Sequence, residues 1–326
     1  MEQDGKNNKI WGNEMKKIKW FFENTWKHRA HVVMSLPAFL ILLVIMYVPM
    51  IGLTLAFKDY STAAGLFKSP WCTNADGQLD LLKNVKFLLV SKDTFWAMTR
   101  NTVMYYLIFT VVGTILNVVL AISIDQFVFK RAAKVMQTIM IVPVFISYAA
   151  VTFIVYAFLD RTTGIINNMT GNMIPWYTSP QHWPLILTIV KIWNGVGYGS
   201  VLYMSVLAGI DTSLYEAAEI DGANKWQQII HVTLPSLIPM ITVMLLLSVG
   251  NVMKSDTGLF YQVTKNGAAL QSTTRVIDSY ILNALRTTPN YGFTAAASLF
   301  QSIVGLLLML FANFTVKKIE PENALF

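Results

Sequence analysis

Six stretches of this chain are too long and too apolar to be the core helices of a small soluble domain. They cover residues 32–57, 101–124, 135–159, 185–210, 234–253 and 293–316. A helix that crosses about 30 Å of hydrocarbon needs roughly 20 apolar residues, and each stretch meets that length. Inside hydrocarbon the backbone must satisfy its own hydrogen bonds, which a helix does within one segment. The expected fold is therefore an all-α polytopic membrane protein with six transmembrane helices. The layout is a tail over 1–31, one membrane domain over 32–316 and a tail over 317–326. Composition agrees: 54% of the 326 residues are hydrophobic and 13% are charged, against about 25% charged in soluble domains.

The net charge of +7 invites a nucleic-acid reading, but its distribution argues for membrane orientation instead. Lys6, Lys9, Lys16, Lys17, Lys19, Lys27 and Arg29 precede the first apolar stretch. Lys130, Arg131 and Lys134 lie between the second and third, and Lys317 and Lys318 follow the last. Basic residues in short flanking segments mark the cytoplasmic side. With six spans, both tails and the 211–239 connection fall inside. The first stretch is too long for a cleavable signal and lacks a small-residue cleavage site, so it is expected to be retained. The outer loops are then about 58–100, 160–184 and 254–292. Within the last, 264–274 is expected to be irregular and "RVIDSYILNAL" helical. Cys72 is the single cysteine. It excludes an internal disulfide and is expected in an outer loop as an incidental thiol.

The string "EAAEIDGANKWQQIIHVTLPSLIP", from Glu216 to Pro239, is polar sequence between two apolar stretches. Asp211-Thr212-Ser213 supplies side chains that can cap a helix start. Glu216 and Glu219 fall in the first turns, where acids complement the helix dipole. Ala217 and Ala218 leave a small-residue surface. Asp221-Gly222 predicts a turn. Trp226, Ile229 and Ile230 resume an apolar face, and Leu234-Pro235 is expected to end the second helix. No GxxxxGK[ST] phosphate loop occurs; "GANKW" and "GVGYGS" lack its ending.

This string resembles the EAA loop of bacterial binding-protein-dependent ABC importer permeases. Glu216, Ala217, Ala218, Asp221, Gly222, Ala223, Leu234, Pro235 and Pro239 match the family pattern. The opening "LPAFLILLVIMYVPMIGLTLAFKDY" is similar to carbohydrate permeases of the LplB-like, polysaccharide-type branch. The resemblance implies a type I ABC importer permease-like bundle and an oligosaccharide cargo. It implies that Glu216 pairs with a basic residue of a separate ATPase, that Ala217 and Ala218 permit close docking and that Gly222 makes the turn between coupling helices. ATP and Mg²⁺ would be bound by that partner, so no cofactor is expected on this chain. The implied assembly has a second, homologous permease in a heterodimer, two ATP-binding subunits and an extracytoplasmic solute-binding protein, in the bacterial cytoplasmic membrane.

Polar stripes inside the spans are candidates for the transport path. Lys191, Asn194, Tyr198 and Ser205 share one helix face. So do Ser248, Asn251 and Ser255, and Thr110, Thr114 and Asn117; Ser298, Gln301, Ser302 and Gly305 cluster. Serine and threonine stripes commonly join helices without touching cargo, and Lys191 can snorkel to the outer interface. Trp193, Asn194, Tyr198, Ser248 and Asn251 are the residues expected to line a path for a polyol, by stacking and hydrogen bonding. Gly195, Gly197, Gly199 and Gly209 are candidate hinges, and Pro143 a candidate kink. The competing readings are a permease for a phosphate ester or peptide, an ion-coupled carrier and a non-transporting anchor. Paired intramembrane acids are absent from the sequence pattern, since Asp125 and Asp160 fall near span ends, which argues against the carrier.

Overall fold

The computed structural model describes residue 20, residues 24–25 and residues 27–325 apart from 91, 128 and 288. The basic cluster from Lys6 to Lys19 lies outside the described residues. Among the described residues the chain is helical, and pairing of extended backbone is limited to the isolated bridges Lys58↔Trp71 and Thr73↔Leu79.

Among the described residues five helices are long and apolar enough to cross a membrane: Arg29–Phe57, Asp93–Asp125, Pro180–Leu207, Lys225–Val249 and Tyr291–Ile319. We name the regular parts α1 (Arg29–Leu42), α2 (Lys92–Asp125), α3 (Lys130–Ile141), α4 (Tyr148–Leu159) and α5 (Trp183–Leu207). Next come α6 (Thr212–Ile220), α7 (Lys225–Gln228), α8 (Leu234–Val249), α9 (Ile277–Thr287) and α10 (Tyr291–Ile319). α10 takes in Lys317 and Lys318 as its last turn.

The third expected span is not one straight helix. Arg131–Phe145 and Tyr148–Leu159 meet at a 100° bend. Pro143 cannot donate to the helical ladder and its ring crowds the preceding turn. The backbone tightens to a 3₁₀ turn over Val142–Phe145, and Ser147 restarts the helix by accepting from the Ala150 N–H at 3.4 Å. The bend is fixed from outside: Asn194 Nδ2 donates to the Pro143 carbonyl at 2.7 Å.

The glycines of α5 do not hinge it; the helix is unbroken from Trp183 to Leu207. A Cβ at Gly197 would overlap the Met140 carbonyl, and one at Gly199 would stand 2.5 Å from Asn117 Nδ2. On α10, a Cβ at Gly305 would likewise overlap the Gly250 carbonyl. Lipid tails are as apolar as leucine, so close backbone approach at small residues drives such helix pairs together. Around α1 the opposite holds: Phe39, Leu40, Ile41, Val44 and Ile45 are all exposed. An apolar face this bare is a lipid or protein contact surface, not a water-facing one.

The segment 264–274 is irregular as expected, and it anchors to the core through Leu270. A π-helical turn over Gly258–Val263 leads into it, a 3₁₀ turn follows at Ala268–Leu270 and a helical turn at Gln271–Thr274. Leu259, Phe260, Val263 and Leu270 are buried against Tyr105, Val151, Val155, Trp183 and Leu187. This cluster closes one end of the bundle. A second cluster, of Val118, Ala121, Tyr203, Leu207 and Leu237, holds α2, α5 and α8 together toward the other end.

Candidate functional site

The polar 211–239 segment is built by local rules. Asp211 Oδ1 accepts from the Ser213 N–H at 2.9 Å and caps α6. The Ser213 amide and hydroxyl hold the Asp211 carboxyl below the usual carboxylate range. Two hydrogen bonds close the other end of α6, Gly222 N–H to Glu219 O at 3.0 Å and Ala223 N–H to Ala218 O at 2.9 Å. This pattern needs a left-handed residue, and Gly222 adopts φ +82°, a conformation that costs an L-residue with a Cβ about 1–2 kcal/mol. Asn224 then opens the next helix with a reciprocal capping box: Gln227 N–H donates to its side chain at 2.9 Å, and its own N–H donates to Gln227 Oε1 at 2.8 Å.

Leu234-Pro235 does not stop this second helix. α7 passes through a π turn over Ile229–Thr233 into α8, and the whole runs as one helix from Lys225 to Val249. The Leu234 N–H donates to the Ile229 carbonyl, five residues back. The ladder has already widened where proline's missing donor would break a regular α-turn. Pro239 is also carried inside the helix. The expected pair of short helices is therefore one short helix, α6, beside the protruding start of a span.

One contact fastens the two. Tyr215 Oη and Thr233 Oγ1 lie 2.9 Å apart, and Thr233 is 0% exposed. What α6 and the turn present outward is Glu216, Ala217, Asp221 and Gly222, all exposed, with Ala218 and Ala223 half-buried. Bare apolar side chains surround them: Leu214 is 50% exposed, Ile220 86% and Trp226 67%. Leu234 and Pro235 are exposed about two turns further on. Glu216 makes no ion pair among the described residues. The patch combines an acid, small residues and uncovered apolar groups, which suits a protein partner.

At the far end of the same helix lies a cavity of about 330 Å³. Its walls come from α2 (Thr102, Tyr105, Tyr106, Phe109, Thr110), α5 (Lys191), Ser248 on α8 and the segment from Asn251 to Phe260. Tyr106 Oη and Ser248 Oγ lie 2.9 Å apart across it. Lys191 is held by partners within the protein. Its Nζ reaches Asp256 Oδ2 at 2.9 Å and the Tyr148 hydroxyl at 3.5 Å.

Of the five expected path residues the cavity unites Ser248 and Asn251, and it leaves out the other three. Asn194 is buried and its amide is committed to Pro143. Trp193 lines a separate apolar groove with Ile154, Phe158 and Ile189. Tyr198 is 60% exposed and forms no part of that wall. Sequence reasoning missed Tyr106, Lys254 and Asp256. The signal available was the triplet Lys254-Ser255-Asp256, a pair of charges directly beyond the polar stripe of the fifth span.

Comparison with known proteins agrees with this architecture. Residues 110–321 match the family described as binding-protein-dependent transport system inner membrane component. Protein LplB of Bacillus subtilis (strain 168) is 30% identical over 317 residues, covering 96% of this chain and 93% of that protein. The polygalacturonan/rhamnogalacturonan transport system permease protein YteP of the same organism is 26% identical, covering 89% and 88%. The crystal structure of a bacterial ABC transporter involved in the import of the acidic polysaccharide alginate contains a chain that superimposes with a TM-score of 0.79 at 28% identity. That alignment covers 92% of this chain and 99% of the other. A second structure of an alginate transporter, in complex with an alginate pentasaccharide-bound periplasmic protein, gives 0.78 at 28% identity. The capped loop, the helical bundle and these likenesses converge: the chain belongs to the family of binding-protein-dependent transport system inner membrane components, and it is a multi-pass ABC importer permease, a transport subunit and not an enzyme.

Proposed function

We propose that this permease forms half of the translocation path for an oligosaccharide delivered by an extracytoplasmic binding protein. ATP is hydrolysed by a separate pair of ATP-binding subunits. One of them docks on Glu216, Ala217, Ala218, Asp221, Gly222 and Ala223, with Leu234 and Pro235 at the edge of that surface. A second, homologous permease completes the path and covers part of the bare α1 face; membrane lipid covers the rest. Both termini lie in the cytoplasm of a bacterial cell, and ATP and Mg²⁺ stay on the partner chains.

One observation carries the reading. A single helix, Lys225–Val249, begins at the exposed patch and ends at the cavity. At 1.5 Å per residue it spans about 37 Å. Force applied to α6 passes through Tyr215 and Thr233 into this helix, which can move as a rigid body against α2 and α5. The far end of that motion changes the cavity wall at Ser248. The carbohydrate assignment is supported by relatives named for polygalacturonan and rhamnogalacturonan, and by structures of an alginate importer. The cavity's hydroxyl, amide and aromatic groups suit a polyol.

The test is uptake of labelled oligosaccharide into proteoliposomes holding the complete complex with ATP inside. Uptake is expected to require the ATPase subunits and the binding protein. Uptake that persists when the ATPase is omitted would point to an ion-coupled carrier, and no uptake of any carbohydrate would remove the cargo assignment.

A further inference from the structure

We infer that residues 320–325, which follow α10, form a strap that binds α8 and α10 into one moving unit, with the Asn313 side chain as its anchor. The inference rests on the proposed role of α8 in carrying motion from the 211–239 segment, and it adds which other helix travels with it.

Asn313 lies inside a membrane-spanning helix, six residues before the end of α10 at Ile319, and is 3% exposed. A buried amide in such a helix is costly unless its groups are bonded. Its Oδ1 accepts from the Leu325 backbone N–H at 2.8 Å. Six residues of helix are about 9 Å, so the chain must double back past the end of α10 to make this bond. The sequence supplies the reversal. Glu320 leaves the helix with φ −138° and ψ 85°. Pro321, which has no N–H to extend the ladder, opens a 3₁₀ turn over Pro321–Asn323. Asn323 closes that turn twice: its N–H donates to the Glu320 carbonyl at 3.0 Å and its Nδ2 to Glu320 Oε2 at 2.6 Å. Ala324 and Leu325 are half-buried, and the turn packs on α8 as well as on α10.

The two helices are also fastened at their other ends. Gln301 Nε2 donates to the Met253 carbonyl at 2.6 Å, and Gly305 approaches the Gly250 carbonyl so closely that a Cβ would overlap it. Rising numbers on α10 thus meet falling numbers beside it. The pair is antiparallel, and the strap lies toward the end of α8 that begins at the 211–239 segment. α8 meets α2 and α5 differently. A hydroxyl pair, Tyr106 and Ser248, joins them at the far end, but near the strap the contact is apolar, with Leu237 among Val118, Ala121, Tyr203 and Leu207. Apolar packing is non-directional, and packed helices slide across it by small shear displacements. Bonds to backbone groups at both ends resist such slip. The easy displacement of α8 is therefore across α2 and α5, with α10 carried along.

The experiment uses the complete complex in proteoliposomes. Spin labels on Ile238→Cys of α8 and Phe314→Cys of α10 report the distance within the pair. Labels on Ile238→Cys and Leu202→Cys report α8 against α5; all three side chains are exposed. Each distance is measured with and without a non-hydrolysable ATP analogue. In wild type the first distance is expected to stay the same and the second to change. Leu325→Pro removes the donated N–H. There the first distance should also change, and the sugar moved per ATP should fall about fivefold, the weight of one net hydrogen bond. Leu325→Ala keeps the N–H and should behave as wild type, which separates the bond from lost packing. Asn313→Leu should match Leu325→Pro, and combining the two should add nothing further. A wild-type first distance that differs between the two states would overturn the strap, as would a Leu325→Pro variant with unchanged distances and yield. If both wild-type distances stay constant while sugar is taken up, α8 does not move, and the coupling reading itself fails.

Discussion

At the scale of single residues, the 211–239 loop was readable because its chemistry is local. Asp211 caps, Gly222 turns and Asn224 restarts a helix, each by a bond to a backbone group within five residues. Path residues were less readable because their role depends on what lies opposite. Asn194 has the right chemistry for a sugar, but its amide is spent on a bent neighbour. Lys191 has the right stem for snorkelling, but its ammonium pairs with Asp256, 65 residues away in sequence. Cys72 has its own consequence. Burial, followed by the nearby Asp59 carboxylate, pushes its thiol up to about 11. Burial disfavours the charged thiolate, so at pH 8 only about one thiol in a thousand is reactive. Maleimide labelling of the intact protein should be slow at pH 8 and rise about tenfold per pH unit toward pH 10. Labelling as fast as in the unfolded chain would mean that the thiol is not enclosed.

At the scale of elements, periodicity and length found the spans, and proline misled in one of two places. Pro143 breaks its span because no widening of the ladder precedes it and Asn194 pulls on its carbonyl. Pro235 leaves its helix intact because the Ile229–Thr233 turn has already shifted the ladder by one residue. Sequence cannot separate the two cases, since the difference lies in tertiary contacts on the preceding turn. The same turn presents Thr233 to Tyr215. Removing that bond with Tyr215→Phe or Thr233→Val costs about 1 kcal/mol of loop fixation. Both variants should insert normally and hydrolyse ATP, with fewer sugars moved per ATP. An unchanged ratio would show that α6 transmits motion by another contact. The 264–274 segment is irregular as expected, a run of turns with a 3₁₀ turn and one helical turn; what its glycine, serine and threonine residues do not reveal is that Leu270 packs into the core beside Leu259, Phe260 and Val263 of the preceding turn.

At the scale of the whole molecule, the exposed apolar faces make sense only in an assembly. α1 contributes almost no buried side chains, and Ile220 and Trp226 stand bare at the other kind of surface, the docking loop. In the proposed assembly the first is covered by lipid or a second permease and the second by a protein partner. Between them, the Lys225–Val249 helix joins the docking loop to the cavity. The central claim is that ATP hydrolysis reaches the path through this loop. Its most direct measurement compares ATP hydrolysis and sugar uptake in proteoliposomes for wild type, Glu216→Ala and Gly222→Pro. Glu216→Ala removes one of the exposed acids of this segment, beside Glu219 and Asp221, and losing one member of a paired charge costs about 2–5 kcal/mol. Gly222→Pro forbids the φ of +82° that the turn requires. Both variants are predicted to reach the membrane at normal levels and to lose uptake by about tenfold or more. Near-normal uptake by both would contradict the account.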